Sequence, residues 1–485
     1  MLAFHGFSLL SLALFASTVP LAACQARPSY HITPETKWMN DPQRPFFLGD
    51  EWHLYYLYNS DFVSSDPGSG GTEWYHVTST DMVNWTRQGV AIEKYKPNPP
   101  NGVNLGDIET GGAVVDENNT AGFGKNAVVA IVTQMENGVQ QQALYYSTDN
   151  GYSFTPYNGN PVLPSPDPDA KPAFRDPKIF WDGGASNWAM ALSEGDHIAF
   201  YTSPDLKTWK QTSSFTPNTG AKGSTVYWVG KWDGNGFTAT DANPQLMDNG
   251  PDFYATVSWD NPEDTYGSRY AIAWMNNWEY ANSLPYYGDF AGQLSMVRKF
   301  KLKTIINSPI LVSSPIAGYE GIFGSAKSVS NKTITTDPKS ASLPSGLTDE
   351  AYVIRATVSK ADSDDGNKVR FRIKSDGAFS TTIGYSFNQS QAFLVRDSDG
   401  SATDSMPSDA KNAYDAVPTA PNPSGGSTVK LEIYVDSNSV EVFVDDGVAA
   451  LSALIYPNEA AEGVLVMSDM GSLTLVSFSY AGYKA

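Results

Sequence analysis

The sequence predicts an all-β protein in which a propeller-like N-terminal part precedes a β-sandwich. Charged residues make up only 17% of the 485 residues, whereas aromatic residues make up 13%. Because helix surfaces are usually rich in Glu and Lys, this composition favours strands and turns. A segment with one pattern recurs through the first half of the chain. From about residue 326 onwards, short alternating strands follow one another, which is typical of a sandwich.

The recurring segment consists of a β-rich run, a turn with an aspartate, and an aromatic residue that opens the next strand. The turn aspartates of its four copies are Asp81, Asp149, Asp205 and Asp233. Such repetition is typical of propeller blades, which have four strands each. An ordinary β-meander with recurring turn chemistry is the alternative.

The spacing of these aspartates predicts a defect in the third interval. The intervals are 68 and 56 residues, and then only 28 between Asp205 and Asp233. A four-stranded blade with its turns barely fits into the last interval. The sequence therefore predicts that about half a blade is missing near residues 210–232.

The pattern changes near residue 300. Residues 297–302 are predicted to form the last strand of a propeller domain that spans residues 27–304, and residues 305–325 are predicted to form a connector. The sandwich is expected to cover residues 326–485, with strands at 350–358, 368–373 and 430–435. Further propeller blades are the alternative for this region.

Residues 1–26 are predicted to form a signal peptide, because residues 7–21 are apolar and small residues follow. The apolar run is too short to span a membrane, and none occurs later. The segment Leu21-Ala22-Ala23-Cys24 also resembles a lipobox, so a lipid anchor through Cys24 is the alternative to a secreted, soluble protein. Four glycosylation sequons, at Asn84, Asn118, Asn331 and Asn388, are compatible with a secretory route.

Charge and cysteine content limit the classes of partner. A formal net charge of −20 argues against a nucleic acid or an anionic membrane, which would repel the protein. A neutral ligand fits better, since aromatic side chains offer it flat faces. The single cysteine excludes an intrachain disulfide and metal sites built on cysteines.

Two motifs place an acid next to a proline. They are Trp38-Met39-Asn40-Asp41-Pro42 and Phe174-Arg175-Asp176-Pro177. Because proline cannot donate to a sheet ladder, Asp41-Pro42 is predicted to mark a strand end, from which the carboxylate projects. Arg175 would keep a neighbouring carboxylate ionised. An Asx-turn at the first motif and a surface ion pair at the second are the alternatives.

Together these two motifs resemble the signatures of glycoside hydrolase family 32, the β-fructofuranosidases. Further matches follow in the order of that family: 113–116 with 118–123, 250–255, 274–278, and 435–436 with 439–443. The segment Asp-Pro-Gln-Arg-Pro at 41–45 is similar to the levanase and exo-inulinase branch. The resemblance covers nearly the whole chain after the predicted signal peptide.

This resemblance implies a five-bladed propeller followed by a β-sandwich, and cleavage of terminal β-fructosyl residues with retention. Asp41 would be the nucleophile, and Asp176 would hold fructose hydroxyls and stabilise the transition state. Family positions that contact sugar or orient the carboxylates correspond to Asn40, Trp74, Arg175 and Tyr254, although the aromatic residues could equally be core. No metal or organic cofactor is implied, because two carboxyl groups suffice. Leu57 and Thr110-Gly111-Gly112 depart from the family pattern.

The family's general acid is missing. It is a Glu in a Glu-Cys-Pro segment between the third and fourth repeats, but this chain has no Glu between Glu194 and Glu263 and no cysteine after Cys24. The gap coincides with the short interval between repeats. A natural protein that contains the segment, a true deletion product, and substitution by Glu194 or Asp252 are the three explanations.

The sequence therefore predicts a secreted fructan or sucrose hydrolase whose activity, as written, is strongly reduced. A non-catalytic fructan-binding protein and a fructosyltransferase are the alternatives. The preferred substrate among levan, inulin and sucrose, and the oligomeric state, do not follow from the sequence.

Overall fold

A computed structural model describes residues 27–63, 70–95, 105–218, 224–261, 264, 267–284, 289–361, 367–375, 380–397, 406–457 and 463–484. The predicted signal peptide, including Cys24, lies outside the described residues. The described part is built almost entirely of strands, with one α-helix, α1 (Ser408–Asp415). The prediction of an all-β protein with a propeller followed by a sandwich is confirmed.

The first three blades are four-stranded antiparallel meanders. The first consists of β1 (Lys37–Leu48), β2 (Glu51–Asn59), β3 (Glu73–Ser79) and β4 (Thr86–Ile92). The second consists of β5 (Asp107–Asp116), β6 (Ala127–Glu136), β7 (Val139–Ser147) and β8 (Thr155–Pro156). The third consists of β9 (Phe174–Asp182), β10 (Asn187–Glu194), β11 (His197–Ser203) and β12 (Lys210–Phe215).

The next segment forms no four-stranded sheet. It contains two short pairs, of β13 (Val226–Tyr227) with β16 (Gln245–Leu246) and of β14 (Gly230–Trp232) with β15 (Phe237–Ala239). We call residues 226–246 the partial fourth blade. No residue from 224 to 247 is buried, in contrast to the strands of the first two blades.

The last blade contains β17 (Tyr254–Asp260), β18 (Arg269–Trp274), β20 (Arg298–Ile305) and β21 (Ser308–Pro315). Before β20, a 3₁₀ turn (Ala281–Ser283) leads to the short β19 (Phe290–Ala291), which pairs with β1 in parallel. Because β20 and β21 form a hairpin, the propeller continues to Pro315, and the predicted connector at 305–325 is shorter than expected. The described residues thus form four complete blades and a partial one, so the expected count of five stays a prediction.

The turn aspartates cap the outer hairpin of each blade. The Oδ1 atom of Asp205 accepts backbone N–H bonds from Lys207 at 2.9 Å and Thr208 at 2.7 Å, between β11 and β12. Asp233 does the same for the two residues before β15. The repeats identified in the sequence therefore mark outer hairpins, and the fourth repeat has its hairpin without a described inner pair of strands.

The first strands of the complete blades converge on a common centre. Arg44 of β1 bridges to Gly112 of β5 and donates from Nη1 to the Ile179 carbonyl of β9 at 3.2 Å. Lys178 of β9 donates from Nζ to Ser258 Oγ of β17 at 2.7 Å. These contacts place the first strands of the four complete blades side by side around that centre.

The sandwich consists of two antiparallel sheets. The first has the order β22 (Lys327–Ile334), β32 (Leu473–Gly482), β23 (Tyr352–Ser359), β28 (Thr428–Val435), β29 (Ser439–Val444) and β30 (Ala449–Leu454). The second has the order β27 (Thr419–Pro421), β26 (Gln391–Asp397), β25 (Ser380–Ser386), β24 (Lys368–Ser375) and β31 (Gly463–Ser468). Two 3₁₀ turns, Ala317–Ile322 and Pro338–Ala341, flank β22. Alternate residues such as Ile354, Phe371 and Leu431 fill the core between the sheets.

A buried ionic network joins the two domains. Arg298 of β20 donates from Nη1 to Asp248 Oδ2 at 2.6 Å and from Nε to Glu441 Oε2 of β29 at 2.9 Å. All three side chains have no solvent exposure. Because buried charges are costly unless they are paired, the network specifies how the domains dock.

Candidate active site

Asp41 lies within β1 and not at its end. The pairing of β1 with β2 shifts register between Met39 and Pro42, so a bulge accommodates the proline inside the strand. The Asn40 amide donates to Asp41 Oδ1 at 3.2 Å, and its own Oδ1 accepts from the Trp38 indole at 3.1 Å. The expectation of a strand end at Asp41-Pro42 was wrong, but a bulge serves the same purpose by directing the side chain out of the regular ladder.

Asp176 occupies a comparable position in β9. Its φ of +62° is a left-handed conformation that non-glycine residues seldom adopt. The Thr110 hydroxyl donates to Asp176 Oδ1, and the Asp176 N–H donates to Thr133 Oγ1 at 3.2 Å. Arg175 lies next to it, with Nε 3.7 Å from Asp176 Oδ2, and both side chains are about half exposed. Backbone strain of this kind is common where a side chain is held for a ligand.

Gln43 connects β1 to β5 behind the carboxylates. Its amide donates to the Asp41 carbonyl at 2.9 Å, and its Oε1 accepts from the Gly111 N–H at 2.7 Å. A Cβ on Gly111 would lie 2.2 Å from the Ile131 carbonyl, so this close approach requires glycine.

The two aromatic residues predicted to contact sugar differ in their exposure. Tyr254 of β17 is half-buried, and burial together with Asp41 and Asp176 raises its pKa. Trp74 has no exposed surface, and its indole donates to the Glu109 carbonyl at 2.9 Å. Trp74 therefore offers no surface for the expected ligand contact.

The pocket combines several acidic groups with one nearby cation. Burial, with the neighbouring Asp176, raises the pKa of Asp41 to about 7. Burial, with Asp107 and Asp41, likewise raises the pKa of Glu109 to about 7. Arg175 counteracts both effects, though less strongly. Such a set of carboxyls suits a neutral polyol and an electron-poor reaction centre.

Of the two residues that were considered as a substitute acid, Asp252 is not available in the pocket. Asp252 is fully buried and accepts from Tyr280 Oη at 2.5 Å, Leu454 N at 2.7 Å and Arg396 Nη1 at 3.2 Å. It serves the interface between the domains, so its proposal as an acid was wrong. Glu194 ends β10 and accepts from the Tyr201 hydroxyl, and His197 Nε2 lies 3.5 Å from its carboxylate.

Three residues of the site were not predicted as such. They are Glu109, Thr110 and Gln43. Gln43 lies in the Asp-Pro-Gln-Arg-Pro segment, and the departure at Thr110-Gly111-Gly112 was the signal that could have identified Thr110. Glu109 lies just before that departure and had no signal of its own. Within the described residues, no cluster of three or more His, Cys, Asp or Glu side chains has a geometry suited to a metal ion. In the same residues, no helix has the length and apolarity needed to cross a membrane.

Comparison with known proteins identifies relatives over most of the chain. The model of the glycosyl hydrolases family 32 N-terminal domain matches residues 31–225 and 219–315, two stretches that overlap at 219–225. The model of the family 32 C-terminal domain matches residues 319–481.

A levanbiose-producing levanase from Bacillus subtilis is 37% identical over 92% of this chain and 89% of its own length. An extracellular exo-inulinase from Aspergillus niger is 29% identical over 92% of both. Among solved structures, an exo-inulinase from Aspergillus awamori superposes with a TM-score of 0.80, at 27% identity, over 95% of this chain and 99% of that one.

Proposed function

Because the chain belongs to glycosyl hydrolase family 32 and is a glycosidase, we propose that its pocket cleaves terminal β-fructosyl units from fructans or sucrose. The observation that carries this proposal is that Asp41 and Asp176 lie on the first strands of two blades, close enough for Asp176 to raise the pKa of Asp41. Relatives named as levanase and exo-inulinase support the substrate class. One relative is a levanase and the other an exo-inulinase, so levan and inulin are both included.

The roles proposed for the two carboxylates follow from their surroundings. Asp41 would attack the anomeric carbon and form a covalent fructosyl intermediate, which water then hydrolyses with retention. Within the described residues, Asn40 is the only side chain that donates a hydrogen bond to it, at Oδ1. Asp176 accepts a hydrogen bond from Thr110 of β5, in the neighbouring blade, and would bind fructose hydroxyls. Asn40, Arg175 and Tyr254 would contact the sugar or orient these carboxylates.

The step that this chain supports least is protonation of the leaving oxygen. Two observations support the proposal that a segment before the partial fourth blade is missing. The family model matches in two stretches that meet at 219–225. The partial fourth blade retains an outer hairpin but has no buried residue. We infer that the natural protein contains a further segment with the general acid.

One measurement separates this inference from a true deletion. Sequencing the transcript across the codons for Lys210–Trp232 should reveal additional codons that include a Glu. A transcript that matches the chain as written would instead favour a fructan-binding protein, the second candidate, because loss of the acid costs about 10²–10⁴ in rate.

The proposed function is tested with the purified chain and one matched pair of variants. Asp41→Asn should abolish any release of fructose from levan, inulin or sucrose while binding of oligosaccharides remains measurable by calorimetry. Asp169→Asn, at an exposed aspartate in the segment before β9, is the control. It should change neither the release of fructose nor the binding of oligosaccharides. Absence of binding in both the parent chain and Asp41→Asn would refute the proposal.

Secretion is proposed as well. The predicted signal peptide at 1–26 and the description of the Aspergillus niger relative as extracellular support it. N-terminal sequencing of protein from the culture medium should give a mature chain that begins after residue 26. A lipid on Cys24 would contradict the soluble form.

A further inference from the structure

Glu109 lies at the point where β5 meets the other strands of the pocket. The pairing of β5 with β6 shifts register between Ile108 and Gly111, so the ladder is irregular there. The Glu109 carbonyl accepts from Trp74, and the next residue, Thr110, donates to Asp176. The following N–H, of Gly111, donates to Gln43. Three consecutive residues are thus each bonded to a different strand around the pocket, which fixes the backbone of Glu109.

Within the described residues, hydrogen bonds hold the backbone around Glu109 but not its side-chain carboxyl. It is partly buried, yet no residue in the described part of the chain makes a hydrogen bond to it. Its electrostatic neighbours are Asp107 on the same strand, Asp41 on β1, and Asp176 with Arg175 on β9. A shielded carboxyl without a protein partner is costly, and a ligand that hydrogen-bonds to it removes this cost.

We propose that Glu109 is a sugar-binding residue whose protonated carboxyl donates a hydrogen bond to a hydroxyl of the bound fructosyl unit. This inference rests on the proposed function, but it does not require turnover. A carboxylate only accepts hydrogen bonds, so a polyol bound beside these acidic side chains also needs a donor, which a protonated Glu109 supplies. Burial raises the pKa of Glu109 to about 7, which leaves a protonated form available at neutral pH.

The proposal predicts that sugar binding depends on pH through Glu109. As the pH rises through about 7, Glu109 ionises, the donor is lost, and repulsion from Asp41, Asp107 and Asp176 increases. Tyr254 of β17 faces the same carboxylates, but its pKa is raised from 10.0, so it stays protonated over this range. Binding should therefore weaken from pH 5.5 to pH 8.5.

The experiment uses the Asp41→Asn chain, which removes both turnover and the titration of Asp41. Binding of levan oligosaccharides is measured by calorimetry at pH 5.5 and 8.5. Adding Glu109→Leu should weaken binding about 3–10-fold at pH 5.5, the loss expected for one hydrogen bond. Adding Glu109→Gln, which keeps a donor that cannot ionise, should retain the affinity and abolish its pH dependence. Glu117→Gln, at an exposed glutamate just after β5, is the control and should retain both.

The outcomes separate this inference from the proposed function. If Asp41→Asn binds the oligosaccharides and all Glu109 variants bind equally at both pH values, the role of Glu109 is refuted while the function stands. If Asp41→Asn binds no oligosaccharide, both fail. Circular dichroism and thermal unfolding of each variant establish that a weakened affinity reflects the pocket and not a loss of fold.

Discussion

The nucleophile predicted at Asp41 should destabilise the folded protein at neutral pH, and Asp41→Asn should therefore stabilise it. Burial, with Asp176 beside it, raises the pKa of this carboxyl from 3.8 to about 7 in the folded state. An acid whose pKa is higher in the folded than in the unfolded state opposes folding once the unfolded form has ionised. The penalty begins near pH 4, grows as the pH rises, and is complete above pH 7.

The size of the effect follows from that difference. Each pKa unit corresponds to about 1.4 kcal/mol, so a difference from 3.8 to about 7 gives an upper limit of about 4 kcal/mol at pH 8. At pH 5 the same calculation gives less than about 2 kcal/mol. Because Asp41 retains some access to water and shares its interaction with Asp176, we expect a measured gain of about 1–3 kcal/mol at pH 8. Asparagine is close in shape and still accepts the Asn40 hydrogen bond.

The assay is urea-induced unfolding of the parent chain, Asp41→Asn and the exposed control Asp169→Asn at pH 5 and pH 8. The Asp41→Asn gain in free energy of unfolding should be at least twice as large at pH 8 as at pH 5, and the control should show no gain at either. An equal gain at both pH values, or a loss at pH 8, would refute the reasoning that burial and Asp176 make this carboxyl costly.

Three further changes test other parts of the structure. Arg298→Met removes the buried cation that pairs with both Asp248 and Glu441, and leaves His31 as the remaining partner of Glu441, so it should cost about 3–5 kcal/mol in urea unfolding; a loss below 1 kcal/mol would contradict the proposed importance of the network between the domains. Gly111→Ala brings a Cβ to 2.2 Å from a backbone carbonyl, and should lower the thermal midpoint and weaken oligosaccharide binding together. Thr110→Val removes the hydroxyl that donates to Asp176, and calorimetry should show weaker binding with an unchanged thermal midpoint; unchanged binding would show that this hydrogen bond does not orient the carboxylate.

The fold could be predicted well from the sequence because local patterns determined it. The turn aspartates, such as Asp205, repeat because each caps an outer hairpin, and this repetition predicted the propeller. The sequence did not predict that the last blade extends to Pro315, because prolines such as Pro309 and Pro315 are typical of a connector. That strand pairs with β20 despite them, at the edge of its sheet.

The site was only partly predictable. Asp41 and Asp176 occur in motifs with prolines, but the bulge at one and the left-handed backbone at the other depend on pairing with neighbouring strands. Glu109 could not be identified from local pattern, because its role arises from three strands that are distant in sequence. Trp74 was predicted to contact sugar but is fully buried. The sequence could not distinguish the two cases, because a tryptophan in a strand has the same pattern whether it faces ligand or core.

The central claim is that this chain has the nucleophile of a retaining fructosidase but lacks its general acid. The most direct test compares sucrose with β-fructofuranosyl fluoride, whose leaving group needs no protonation. We predict that the chain as written hydrolyses the fluoride, that kcat/KM for sucrose is about 10²–10⁴-fold lower, and that Asp41→Asn loses both activities. Comparable kcat/KM values for the two substrates, or turnover of the fluoride that survives Asp41→Asn, would contradict the account.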